Sequence, residues 1–121
     1  MITNESPLAE RALTYFRLVD DGDLLATFDL FHSDAVYRRP GQHPLEGKEA
    51  LVAFYEGPRG IDRTRHDVKV IAVDGDCVVV EGRANVWWES GKESSFRFVD
   101  LFWFRGDRIA QRHGYVDAAL P

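Results

Sequence analysis

The spacing of apolar residues changes partway along the chain. Leu8, Ala12, Tyr15, Phe16 and Val19 recur at helical intervals and form one stripe. Ser6 followed by Pro7 supplies an N-cap and a first-turn proline, so a helix is expected to begin there and to end at Gly22. Asp23 then caps a second, short helix that presents Leu24, Phe28 and Phe31. A strand over residues 35–39, "AVYRR", is stopped by Pro40 and Gly41. A third helix, Lys48–Tyr55, sets Ala50, Leu51, Phe54 and Tyr55 on one side and closes at Gly57-Pro58.

Beyond this point the pattern is that of strands. "HDVKVIAV" runs into the turn signal "DGD", and "CVVVEGRANVWW" (77–88) follows and turns through "ESGK". "SSFRFVDLFWF" (94–104, continuing to Arg105) turns at "RGD", and "RIAQRHGYVD" completes the meander. Helices first and antiparallel strands last indicate an α+β fold, a curved sheet wrapped on three helices with room for a cavity between them.

Two strands carry unusual patterns. In 94–105 the even positions are Phe96, Phe98, Asp100, Phe102 and Phe104. A face so aromatic belongs inside, and a buried carboxylate there must be protonated or paired with a cation. In 77–88 the even face is Val78, Val80, Gly82, Ala84, Val86 and Trp88, while the odd face holds Cys77, Val79, Glu81, Arg83, Asn85 and Trp87. Either the even face is core and the odd face meets solvent, or the odd face lines a polar cavity and a second subunit covers the even face. Alternation in the first strand puts Tyr37 and Arg39 on one face, which would point an arginine inward.

Composition narrows the possibilities. A chain of 121 residues with 45 % hydrophobic content fits one domain with an ordinary core. A formal net charge of −5 argues against nucleic-acid binding, and the basic run "RGIDRTR" (59–65) reads as a solvated loop. No apolar run approaches the roughly 20 residues of a membrane span, and no signal peptide is visible. The single Cys77 excludes an internal disulfide, fits a reducing cytosol and a cytoplasmic protein, and reads as a small buried hydrophobe. Four histidines and one cysteine show no metal-ligand spacing, so no metal or cofactor is expected. His66 shares a face with Val68 and Val70 and is a candidate base or a hydrogen-bonded structural residue. His113 carries a weaker signal, and His32 and His43 read as loop or helix-end residues.

The order of "YFRLVDDGDLLATFDLFHSDAVYRRP", "LEGKEALVAFY" and "FVDLFWF" resembles the nuclear-transport-factor-like superfamily, specifically its SnoaL-like and ketosteroid-isomerase-like branch. The resemblance spans nearly the whole chain, 1–121, and implies a cone whose sheet curls around a pocket closed by the helices. It also implies a homodimer through the outer face of the sheet, with Glu81, Arg83, Asn85 and Trp87 in the pocket. By the same resemblance Tyr15 and Asp100 match the isomerases' oxyanion-hole pair, and Tyr55 matches a supporting tyrosine. The isomerases' aspartate base falls at Arg39, so a true ketosteroid isomerase is not implied. Limonene epoxide hydrolases are similar too. Their Tyr-x-Asn falls at Tyr37-Arg38-Arg39, and their Arg-x-Asp falls at Glu81-Gly82-Arg83 with the charges reversed. The last-strand acid of both the hydrolases and the polyketide cyclases falls near Gly114.

The functional expectation is a cofactor-independent acid–base enzyme of isomerase, cyclase or dehydratase type. Its substrate would be a small, largely apolar oxygenated molecule. Epoxide hydrolysis and a non-catalytic binding module are the alternatives. Candidate catalytic residues are Tyr15, Asp100, Arg39, Glu81 and His66. Candidate substrate contacts are Tyr37, Phe54, Tyr55, Arg83, Asn85, Trp87, Phe98 and Phe102. Arg39 has two candidate roles: neutralising Asp100, or binding an anionic or enolate-like group together with Arg83.

Overall fold

The computed structural model describes residues 6–118. Helix α1 (Pro7–Asp21) begins where Ser6 accepts a hydrogen bond from the Leu8 amide, and it ends at Gly22, whose φ of 75° few other residues tolerate. Helix α2 (Leu24–Phe28) is capped by the Asp23 carboxylate. Strand β1 covers Phe31–Arg38, longer than expected, because Phe31 belongs to the strand and not to the helix before it. A two-residue strand β2 (Leu45–Glu46) precedes helix α3 (Lys48–Glu56). Four long strands follow: β3 (Ile61–Asp74), β4 (Cys77–Trp88), β5 (Glu93–Arg105) and β6 (Arg108–Val116).

The strands form one sheet in the order β2-β1-β6-β5-β4-β3. The β3–β4, β4–β5 and β5–β6 hairpins are antiparallel, and β1 lies parallel to β6. The α+β expectation of a curved sheet against three helices is therefore met. The core fills the hollow of the sheet: Tyr15 and Phe16 of α1 meet Phe98 and Phe102 of β5, and Leu51 and Tyr55 of α3 close the other side.

The faces of β4 settle one of the open alternatives. Val78, Val80, Gly82, Ala84 and Val86 are buried in the hollow, and the odd residues point to the outer face. The placement of Glu81, Arg83, Asn85 and Trp87 in the pocket, implied by the resemblance, is thus corrected. The apolar side of this strand is the side that packs on the helices, as hydrophobic burial alone requires. Arg83 bonds Ser95, Asn85 accepts from Ser95, and Trp87 carries the Arg63 guanidinium 3.9 Å above its ring. The "RGIDRTR" run is also corrected, because β3 begins at Ile61 and only its first residues are loop. Cys77 is partly exposed at the outer start of β4, not buried in the core, and burial together with Asp74 holds its thiol above the usual range.

Candidate functional site

A cavity of about 780 Å³ lies between the hollow of the sheet and helices α1 and α3. That is ample for a drug-sized molecule. Its apolar wall includes Val86 and Trp88 of β4, Phe96 and Phe98 of β5, and Phe54 of α3. Its polar lining falls into two clusters and a rim.

The first cluster is centred on Arg112 of β6, a residue that sequence reading does not single out. Arg112 is 7 % exposed. Its Nη2 donates to Asp100 Oδ2 at 2.8 Å, and its Nη1 donates to the hydroxyl oxygens of Tyr15 and Tyr55. The guanidinium lies 4.5 Å from the centre of the Tyr15 ring and 4.4 Å from that of Tyr37. Burial by itself would lower the pKa of Arg112, but Asp100, and behind it the three tyrosines, hold it well above its ordinary value and firmly charged. The cation that Asp100 requires is therefore Arg112, and the pairing with Arg39 considered from sequence is corrected.

Proton counting shows what this cluster offers. Tyr15 and Tyr55 share a short hydrogen bond, and both oxygens already accept from Arg112. Burial raises the pKa of Tyr15, with the Arg112 charge opposing it, so the phenol keeps its proton; burial does the same for Tyr37. One of the two hydroxyl protons is engaged between the oxygens, and the other is left to point toward the cavity that both residues line. The site thus presents one phenolic donor backed by a fixed positive charge.

Phase explains why Arg112 is hard to see in the sequence. Counting alternation from buried Ile109 puts residues 111 and 113 inside. A register shift between β5 and β6 at Trp103/Phe104 slips the phase, so Arg112 and Gly114 face inward instead. Gly114 sits opposite Asp100, and a Cβ there would stand 2.8 Å from Asp100 Oδ1. The last-strand acid of the resembling families has no room at this position while Asp100 occupies it. His113 points to the outer face against Trp103, and burial followed by the Arg38 charge lowers its pKa.

The second cluster is His66 with Asp20. His66 lines the cavity from β3, its ring 4.9 Å from Phe16 and 5.3 Å from Phe98. Asp20, on the last turn of α1, takes three hydrogen bonds of 2.7 Å each, from His66 Nδ1, the His66 backbone amide and Thr64 Oγ1. Burial alone would raise the pKa of Asp20, but these bonds and the His66 charge bring it below the ordinary carboxylate value. An ionised Asp20 accepting from Nδ1–H fixes the tautomer that leaves Nε2 as a proton acceptor.

The rim holds Arg39, Arg59, Pro40, Gln42 and Pro58. Arg39 follows β1 and lines the cavity with Tyr37, as alternation suggested. Of the other expected contacts, Phe54, Tyr55 and Phe98 line the cavity. Phe102 is completely buried beneath Tyr15 and Arg112 and belongs to the core, not to the lining. Among the described residues no group of three His, Cys, Asp or Glu side chains could hold a metal, and no helix is long and apolar enough to cross a membrane.

A cone of curved sheet closed by three helices, with a mixed polar and aromatic cavity inside, defines a class of small-pocket proteins. The chain belongs to the SnoaL-like domain family, whose model matches residues 12–112. The same fold occurs in an NTF2-like protein from Burkholderia pseudomallei, 18 % identical, with a TM-score of 0.85 over 93 % of this chain and 92 % of that one. An LEH-like epoxide hydrolase from M. tuberculosis, 16 % identical, superposes with a TM-score of 0.83 over 92 % and 83 %. A candidate SnoaL-like polyketide cyclase from Jannaschia sp. CCS1, 21 % identical, gives 0.76 over 95 % and 91 %. At these identities the likeness is one of fold.

Proposed function

We propose that the chain is a cofactor-independent acid–base enzyme acting on an enolisable carbonyl compound of largely apolar body. The observation that carries this reading is that an Asp20-oriented histidine and an Arg112-backed phenol line one apolar cavity. His66 Nε2 takes a proton from the carbon next to the carbonyl. The carbonyl oxygen accepts from the free phenolic proton of the Tyr15/Tyr55 pair, and Arg112 stabilises the enolate charge. Return of the proton to another carbon gives isomerisation, and attack of the enolate carbon on a second carbonyl gives cyclisation. Asp100 holds Arg112 in place and is not a hydrogen-bond donor here, unlike the neutral acid of the isomerases. Glu81, on the outer face, has no part in this chemistry.

The test is proton–deuterium exchange at the α carbon of β-tetralone, a bicyclic ketone, followed by NMR in heavy water. Exchange well above the buffer rate, lost in His66→Gln, supports the reading. Exchange equal in wild type and His66→Gln removes it. Epoxide hydrolysis is a second reading, favoured by Asp100 Oδ1, the oxygen of the cavity-lining carboxylate that Arg112 does not hold. It requires water to be held there and predicts solvent oxygen in a diol product. A cavity that binds ligands without turnover in either assay is the binding-module outcome.

A homodimer through the outer sheet face is part of the proposal. Val79 pairs with Leu101 and Cys77 with Trp103 on that face, a partly exposed apolar band. Sedimentation of wild type as a dimer and of Leu101→Glu as a monomer supports it, and a monomeric wild type excludes it. A cytoplasmic location goes with the single cysteine.

A further inference from the structure

The rim of the cavity carries charge that the acid–base chemistry does not use. The chain is acidic overall, with a net charge of −5. Yet among the described residues its cavity is lined by Arg39, Arg59 and Arg112 and by one carboxylate, that of Asp100; Asp20 lies behind His66, outside the lining. Arg112 and Asp100 neutralise each other, which leaves two positive charges at the rim.

Neither rim arginine has a carboxylate within ion-pair distance among the described residues. Both are half-buried against aromatic rings. The Arg39 guanidinium carbon is 4.8 Å from the centre of the Phe54 ring, and that of Arg59 is 5.5 Å from the same centre and 4.9 Å from that of Tyr55. Because both stand over one ring, their separation cannot exceed the sum of their two distances to it. One edge of Arg39 is fixed by a 2.9 Å hydrogen bond from Nη2 to the His43 carbonyl, and its buried Nε has no acceptor. Two oriented, partly desolvated guanidinium groups with unused donors form half of a charge-assisted contact.

We propose that Arg39 and Arg59 form an anion-recognition site, and that the natural ligand is a flat apolar ring system bearing a carboxylate. The carboxylate lies at the rim, and the ring system extends along Phe54, Phe96, Phe98 and Trp88 toward the Tyr15/Tyr55 hydroxyls. This names the substrate class of the proposed enzyme and rests on the cavity's being its ligand site. Planar guanidinium forks match a carboxylate, and the aromatic wall supplies no further polar partners for a second charged group. Arg59 takes the place that sequence reading gave to Arg83, which lies on the outer face.

Isothermal titration calorimetry of the whole chain with naphthylacetate, and with its uncharged isostere naphthylacetamide, separates charge from shape. The expected result is about tenfold or more tighter binding of the acid. Added sodium chloride should weaken the acid alone. Arg39→Gln and Arg59→Gln should each remove most of the preference, and Lys69→Gln, which deletes an exposed charge on β3, should leave it intact. Equal affinity for the two compounds, a preference unchanged in both glutamine variants, or no binding of naphthylacetate overturns the inference. The acid–base reading is tested separately, because β-tetralone is neutral and its exchange does not require the rim.

Discussion

Asp100 and Arg112 are diagonal neighbours on adjacent strands: Asp100 faces Gly114 across the β5–β6 pair, Arg112 faces Phe102, and the two side chains meet at 2.8 Å. Both are almost wholly buried, and among the described residues neither has another ion-pair partner. Arg112→Met should strand the carboxylate and destabilise the fold by about 3–5 kcal/mol in urea unfolding. The double variant Asp100→Leu/Arg112→Met should recover more than half of that loss, since the desolvated charge goes with its partner. A single-variant loss no larger than the roughly 0.5 kcal/mol of a surface change would mean the pair does not hold the floor of the cavity.

Gly114 is tied to the same pair. A methyl group there would meet Asp100 Oδ1 at 2.8 Å, and the carboxylate cannot swing away without leaving Arg112. Gly114→Ala should therefore cost about 1–3 kcal/mol, an overpacking penalty. In the Asp100→Ala background the same substitution should be close to neutral. Equal penalties in both backgrounds would locate the strain elsewhere.

The sequence foretold the scaffold well and the site unevenly, for physical reasons. Caps and glycines placed α1 and α2, and "DGD" and "RGD" placed two hairpins, because these signals are local. Asp100 was legible as a buried carboxylate because its four phenylalanine neighbours keep strict alternation. Arg112 was not, because a register shift reverses the phase of β6, and a period-two count cannot see a shift. The pairing of Asp20 with His66 joins residues 46 positions apart, and no motif links a helix end to a strand interior over such a span. The faces of β4 were readable from burial preference alone; the resemblance pointed to the opposite side.

The two buried hydroxyls act as a unit. Tyr15→Phe leaves Tyr55 still backed by Arg112 with a proton free for the ligand, and Tyr55→Phe leaves Tyr15 in the mirrored position. Each single variant should slow β-tetralone exchange by about tenfold, and the double variant by about 10³-fold, more than the product of the two. Losses that simply multiply would indicate that the hydroxyls serve independently.

Asp20 makes a prediction about acid. Its pKa in the folded chain lies below the ordinary 3.8, so its contribution to stability is complete above that value. The contribution fades as pH falls through the lower folded value, where the folded chain at last takes up the proton. Its side chain is partly open to solvent, which moderates the size of the effect. Urea unfolding across acid pH should show the difference in stability between wild type and Asp20→Asn shrinking as pH falls from the ordinary carboxylate value through the lower folded one. A difference that stays constant would mean the carboxylate matters for its shape and not for its charge.

The place of β6 in the sheet has a consequence for how the protein is made. This strand comes after all the others in the described chain, yet it lies between β1 and β5. Until it arrives, β1 and β5 present unpaired edges to one another and to any other chain nearby. Asp100 meanwhile faces the hollow without its counter-charge, and Tyr15 waits for a partner 97 residues downstream. Contacts of such long range form late. A chain in which β6 has not yet paired has no polar floor to its cavity, and the insertion that seals the sheet also assembles that floor.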